Sequence, residues 1–253
     1  MTTASGPASS TDPSDPASRP PGRLTGVGVG PGDPELVTQQ ALRVLDGADR
    51  VVAPSTAPDA VGRAESIVRQ LRPGLAVERV VFDMGGPRPE EEPARTLVRW
   101  LDEGEAVCFV TLGDPNIYST FSSLAAAVRR LRPEVDLATT AGIMAFQALA
   151  ATTGVVLAEG TEDLSLVTAL DGTDALARAL EDPDRTVVVY KGGRHFPAMA
   201  ELLARTGRAE GAVVGELLGL PGEQVGPVTT LAQGPVAYLA TVVVPPLGRE
   251  GRS

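Results

Sequence analysis

Hydrophobic and polar positions along the chain fall into two recurring patterns. Short runs rich in Val, Leu and Thr read as strands, and longer stretches with apolar residues three or four apart read as helices. In the first half, strands are predicted at residues 24–30, 50–53, 78–82, 106–112 and 135–139. Helices are predicted between them near 35–45, 60–71, 93–103 and 117–131. Such alternation predicts a mostly parallel sheet covered on both faces. A second series has strands near 164–168, 186–190, 211–216 and 236–244, with helices near 174–180 and 197–206. A helix at 141–151 joins the halves. The expected fold class is α/β, as two α/β domains with a ligand cleft between them.

Composition refines this layout. Residues 1–22 are almost wholly Ser, Thr, Pro, Ala, Gly and Asp, which predicts a disordered tail, and 249–253 are expected to fray. The expected domains are therefore 23–140 and 141–248. Cys108, Trp100 and Phe121 are placed in the core by the apolar pattern around them. The absence of a signal-type apolar segment or a membrane-length apolar run sets the expected location as cytoplasmic, with no membrane partner.

Charge narrows the chemistry. The chain carries 22 Lys and Arg against 32 Asp and Glu, a net charge of −10, which argues against nucleic acid as a partner. Cys108 and His195 are the single cysteine and histidine, so no disulfide and no zinc site of the usual ligands is expected. Lys191 is the only lysine. Catalysis here must rest on carboxylates, tyrosines, arginines, backbone groups or a bound cofactor.

Two strand-to-helix turns are candidates for binding. The first reads Gly28-Val29-Gly30-Pro31-Gly32-Asp33-Pro34. It lacks the glycine spacing of a dinucleotide fingerprint, and its two prolines remove amide donors that a phosphate would use. Asp33 followed by Pro34 and Glu35 is also a good helix start. The second turn, Gly113-Asp114-Pro115-Asn116-Ile117-Tyr118, follows the strand ending at Leu112, the strand end where ligands bind in α/β sheets. Two uses are open to Asp114: capping the next helix, or accepting from a ligand. Tyr118 lies one turn further on.

These turns, with three later segments, resemble the tetrapyrrole methyltransferases. The later segments are Ala141-Gly142-Ile143-Met144, then Tyr190-Lys191-Gly192-Gly193-Arg194-His195, then Glu216-Leu217-Leu218-Gly219-Leu220-Pro221-Gly222-Glu223. Within the family the likeness is to the precorrin-2 C(20)-methyltransferases, and it covers residues 24–244. Two departures stand out: Ala141 occupies a position usually held by proline, and His195 one usually held by asparagine.

The resemblance implies the tetrapyrrole methylase fold, S-adenosylmethionine as cofactor in the cleft, and a homodimer. It implies cofactor contacts at Pro31, Leu112, Gly113, Asp114, Ile117, Met144, Ala145, Tyr190, Lys191, Leu218 and Ala237. The reaction it implies is methylation of the C-20 meso carbon of precorrin-2, or of its cobalt form, in cobalamin biosynthesis. The substrate is a polycarboxylate, so Arg194, Arg88 and Arg63 are candidate anchors. Asp83 is a further substrate-side candidate. Loss of the proton from the methylated carbon needs an acceptor: Tyr118 is preferred, with Asp83, Glu159 and solvent as alternatives. Other readings are a different corrin methyltransferase, an rRNA or protein methyltransferase on the same fold, or a non-catalytic binder.

Overall fold

The computed structural model describes residues 22–83, 86–231 and 239–248. Of the tail expected at 1–22, residues 1–21 lie outside the described residues, as do 249–253, Ala237 and Tyr238; Gly22 is described and departs from that expectation, being buried with its amide donating to the Leu101 carbonyl at 2.9 Å. The chain divides into two compact units. Among the described residues, the first comprises 22–28, Gln39–Thr111 and Pro115–Ala141. The second comprises, again among the described residues, Val29–Thr38, Leu112–Asp114 and 142–231 with 239–248.

The first unit is built on β1 (Arg23–Gly28), β2 (Arg50–Ser55), β3 (Val77–Val81), β4 (Ala106–Thr111) and β5 (Asp136–Thr140). All neighbours are parallel, in the order β3-β2-β4-β1-β5. Central strands of such a sheet are covered on both sides and so read as unbroken apolar runs, which is why β1 and β4 were legible in the pattern. The covering helices are α1 (Gln39–Asp46), α2 (Arg63–Leu71), α3 (Glu91–Asp102) and α4 (Thr120–Leu131). Phe109 centres the core, edge-on to Phe82 at 6.2 Å and tilted against Phe121 at 6.0 Å. A β-carbon on Gly26 would stand 2.5 Å from the Phe121 ring, so glycine in β1 is what lets α4 lie close to the sheet.

Charges are built into this unit. Glu65 of α2 is fully buried and is bonded by Arg79 at 2.7 and 2.8 Å and by Arg69 at 2.8 Å. Arg50 donates to Glu78 and Glu105 and lies 4.7 Å over the Trp100 ring. Trp100 is half-buried: it packs against the core from its edge, with Arg50 over its ring, rather than within the core as expected. Phe121 and Cys108 are buried as expected.

The second unit carries α5 (Ala145–Thr153), β6 (Leu164–Thr168), α6 (Asp174–Ala179), β7 (Thr186–Tyr190), α7 (Phe196–Arg205), β8 (Val213–Glu216), β9 (Gln224–Pro227), α8 (Val228–Leu231) and β10 (Thr241–Val244). Its sheet has the order β6-β7-β10-β8-β9. Only β6 and β7 pair in parallel; β10 runs antiparallel to β7 and β8, and β8 to β9. The sheet is therefore mixed. Central β7 and β10 bury Val187, Val188 and Val189 against Val242, Val243 and Val244. Arg208 is almost fully buried and donates to the carbonyls of Asp182, Arg185 and Pro245, so one guanidinium ties the loop before β7 to the chain just after β10.

Two helix starts differ from expectation. The stretch 35–45 splits into a 3-10 turn, Pro34–Leu36, and α1, because Val37 adopts an extended conformation and buries its side chain. α4 begins at Thr120 rather than near 117, capped by the Ser119 hydroxyl, which accepts from the Phe121 amide at 3.1 Å. Tyr118 just before it has φ +50°, which no helix tolerates.

Candidate functional site

Four of the sequence motifs meet within the second unit, and backbone geometry brings them together. The first turn leaves β1 through Val29, fully buried, and Gly30, whose φ of +73° only glycine adopts without strain. The Gly30 carbonyl accepts from the Gly113 amide at 2.9 Å, so the first and second turns pair as an isolated bridge. Asp33 caps the following 3-10 turn by accepting from the Glu35 amide at 2.8 Å, as its place before Pro34 predicted.

The second turn is joined in the same way to the start of α5. The Asp114 carboxylate accepts from the Gly142 amide at 3.1 Å, and the Asp114 amide meets the Met144 thioether sulfur at 3.2 Å. Asp114 is thus not the cap of α4, which Ser119 supplies; it is a tie between two loops. The Met144 amide donates to Gln147 Oε1 at 2.9 Å, and the Phe146 amide donates to the Tyr190 hydroxyl at 3.2 Å. A helix N-terminus normally offers its free amides to an anion. Here side-chain oxygens of Gln147 and Tyr190 already occupy two of them, at Met144 and Phe146, and the Gln147 amide turns back to the Met144 carbonyl at 3.0 Å, so this helix start has few amides left for a phosphate. Beside it stand the half-buried Leu112 of the second turn and the buried Met144.

The Leu218 segment joins from the other side. A β-carbon on Gly32 would stand 1.9 Å from the Leu218 carbonyl oxygen, and one on Gly219 would stand 2.2 Å from the Asp33 amide nitrogen. The two loops touch backbone to backbone. Pro31 and Leu218, predicted from separate motifs, are thereby held in neighbouring turns.

Lys191 follows β7 with φ +57°, and Tyr118 and Leu217 share this left-handed region at +50° and +51°. Among the described residues these are the only non-glycine positions with positive φ. Each falls in one of the predicted motifs, and strain of this kind concentrates where surrounding structure fixes a functional geometry. Lys191 is half-buried, and this burial pushes its ammonium below the ordinary lysine range. Arg194 is exposed in the 3-10 turn Gly193–His195; it donates to the Leu170 carbonyl and, at 3.1 Å, to His195 Nε2.

The remaining candidates lie on the first unit. Ile117 and Tyr118 precede α4, Arg63 opens α2, Asp83 follows β3, and Arg88 precedes α3. Tyr118 is exposed, and Arg88 donates to Glu91 at 2.7 Å. Ala237 lies outside the described residues. Gln147, Glu223 and Gly32 were missed as contributors. Gly32 and Glu223 stand within the quoted motifs, though neither was singled out; Gln147 had its spacing of three residues from Met144, in the manner of a capping box. A separate surface hollow, lined by Gly207, Ala209, Glu210, Gly211, Pro227 and Thr229, touches none of these residues. Among the described residues no cluster of His, Cys, Asp and Glu suits a metal ion, and no helix is long and apolar enough to cross a membrane.

The family model of the Tetrapyrrole (Corrin/Porphyrin) Methylases matches residues 23–233. The protein CobIJ of cobalamin biosynthesis from Mycobacterium tuberculosis is 32% identical over 238 residues, covering 88% of this chain and 46% of that protein. The chain spans about half the length of that relative. Cobalt-precorrin-2 C(20)-methyltransferase of Salmonella typhimurium is 32% identical over 209 residues, covering 80% of this chain and 86% of the enzyme. Among solved structures, uroporphyrin-III C-methyl transferase from Thermus thermophilus, complexed with S-adenyl homocysteine, superposes with a TM-score of 0.63. It is 22% identical and covers 88% of this chain and 97% of that one, a likeness of fold.

Proposed function

The chain belongs to the tetrapyrrole (corrin/porphyrin) methylases, and from that premise we propose that it methylates the C-20 meso carbon of precorrin-2, or of its cobalt form, in cobalamin biosynthesis. The cofactor of the family is S-adenosylmethionine, which when bound supplies an electrophilic methyl group. The site suits that molecule, since it has no phosphate and the α5 start offers no phosphate cradle. The observation that carries the reading is the chain of hydrogen bonds from Gly30 to Gly113, from Asp114 to Gly142 and Met144, and from Phe146 to Tyr190. It makes one binding wall from four motifs far apart in sequence.

In this reading Pro31, Leu112, Gly113, Asp114, Met144, Ala145, Tyr190, Lys191 and Leu218 hold the cofactor, mostly through backbone groups. Asp114 and Tyr190 act by fixing loops in place. Holding two reactants aligned is most of what transfer from a sulfonium to a carbon nucleophile requires, and excluding water is the rest. Arg194 takes a substrate carboxylate. Its two acceptors, Leu170 and His195, limit the rotamers of an otherwise free side chain, so less entropy is lost on binding. Arg63, Arg88 and Asp83 are assigned to the substrate side. Tyr118 is assigned as proton acceptor for the methylated carbon; its left-handed backbone fixes the direction in which the ring leaves the chain.

Incubation with labelled S-adenosylmethionine and metal-free or cobalt precorrin-2, followed by mass and position analysis, tests the assignment. Label at C-20 is expected. Label elsewhere on the ring supports a different corrin methyltransferase, and transfer to neither form overturns the substrate. Tyr118→Phe is expected to slow turnover and alter its pH profile; full turnover with an unchanged profile removes Tyr118 from the mechanism. The same reading carries a homodimer and a cytoplasmic location, tested by sedimentation and by fractionation.

A further inference from the structure

The loop after β8 is held in a tight, doubly left-handed path. Leu217 has φ +51° and Gly219 φ +70°. The Leu220 amide donates to the Leu217 carbonyl at 2.8 Å, and the Glu223 amide donates to the Leu220 carbonyl at 3.0 Å. The Glu223 side chain then turns back, and its Oε2 accepts from the Gly219 amide at 2.5 Å. A carboxylate accepting from a backbone amide is a charge-assisted bond, stronger than a neutral one. Gly219 is also the residue whose α-carbon faces the Asp33 amide, while the Leu218 carbonyl faces Gly32. The position of the 217–219 turn therefore sets the position of the first glycine turn, because the closest approaches between them are to backbone atoms.

We propose that Glu223 is a positioning residue for the cofactor site. It pins the Leu217–Leu218–Gly219 turn against Gly32 and Asp33 and so fixes Pro31 and Leu218 together as one wall. The proposal rests on the cofactor reading above for its functional consequence, but the pinning itself is a property of the chain. Glu223 is exposed and, among the described residues, its carboxylate meets the site at the Gly219 amide, so its removal loosens one loop and leaves the hydrophobic core intact.

The test compares Glu223→Ala with Glu223→Gln. The amide oxygen of glutamine still accepts from Gly219; alanine does not. Calorimetry with S-adenosylhomocysteine is expected to show binding weakened about tenfold in E223A and restored to within about twofold in E223Q. The KM for S-adenosylmethionine should rise in E223A with kcat at saturation nearly kept, and its melting temperature should stay within about 2 °C of the parent. Hydrogen exchange of the Gly219 amide should accelerate in E223A and not in E223Q, with or without ligand. Binding by E223A within twofold of the parent, or E223Q as weak as E223A, overturns the proposal. If the parent protein itself fails to bind S-adenosylhomocysteine, the cofactor reading falls, and Gly219 exchange alone decides whether Glu223 pins the turn.

Discussion

The hydroxyl of Tyr190, the last residue of β7, accepts a hydrogen bond from the backbone amide of Phe146 in the first turn of α5 at 3.2 Å. The two residues lie 44 positions apart, and the bond fixes where the helix begins relative to the strand end. Tyr190→Phe removes this acceptor while keeping the ring. A neutral hydrogen bond of this kind contributes about 1 kcal/mol net, which is roughly a fivefold effect. Weaker S-adenosylhomocysteine binding of that order is expected by calorimetry, with little change in thermal stability.

Gly32→Ala meets an obstacle that cannot move away. The added carbon would stand 1.9 Å from the Leu218 carbonyl oxygen, a backbone atom, so one of the two loops must shift. Cofactor binding is expected to fall more than about tenfold, because misplacement near 1 Å at a positioned site is costly. Circular dichroism should still report a folded protein, since Gly32 lies outside both sheets.

Glu65 predicts behaviour in acid. The hydrogen bond from Arg79 is the main cause that holds its carboxyl below the ordinary glutamate value, and Arg69 adds to it. A carboxyl whose folded value is depressed contributes stability that is present above its unfolded value and is lost as pH falls through the folded one. Urea melts should show the parent losing stability on the acid side. Glu65→Gln removes that part of the slope and, by leaving two arginines without their buried partner, costs about 3 kcal/mol at neutral pH.

Cys108 should be inert in the native protein. It is buried in β4, and this burial pushes its thiol up to about 12. A thiol reagent at pH 8 is expected to label the protein only after denaturant exposes the strand. Fast labelling of the native state would contradict this packing of β4.

Some of the architecture was legible because it is written in local period. The strands of the first sheet are apolar runs between helices with one apolar face, and their parallel order follows from that alternation. The antiparallel half of the second sheet was not legible. β9 reads Gln-Val-Gly-Pro, is at best half-buried and has no apolar run to mark it. The start of α4 was misplaced for a similar reason: Asp114-Pro115 carries a strong helix-start signal, yet its carboxylate is drawn to Gly142, 28 residues away.

The sequence by itself determined the two α/β halves, the motifs, the family they resemble and the lack of a phosphate-binding fingerprint in the first turn. Those follow from residue type and spacing, which act over one or two turns of chain. Only the tertiary structure decided that residues 29–38 and 112–114 group with the second unit, and that Asp114 and Tyr190 act as ties. The same holds for the contact between Gly32 and Leu218. Each depends on contacts between segments distant in sequence, where a carbonyl, an amide or the absence of one β-carbon decides how closely two loops approach.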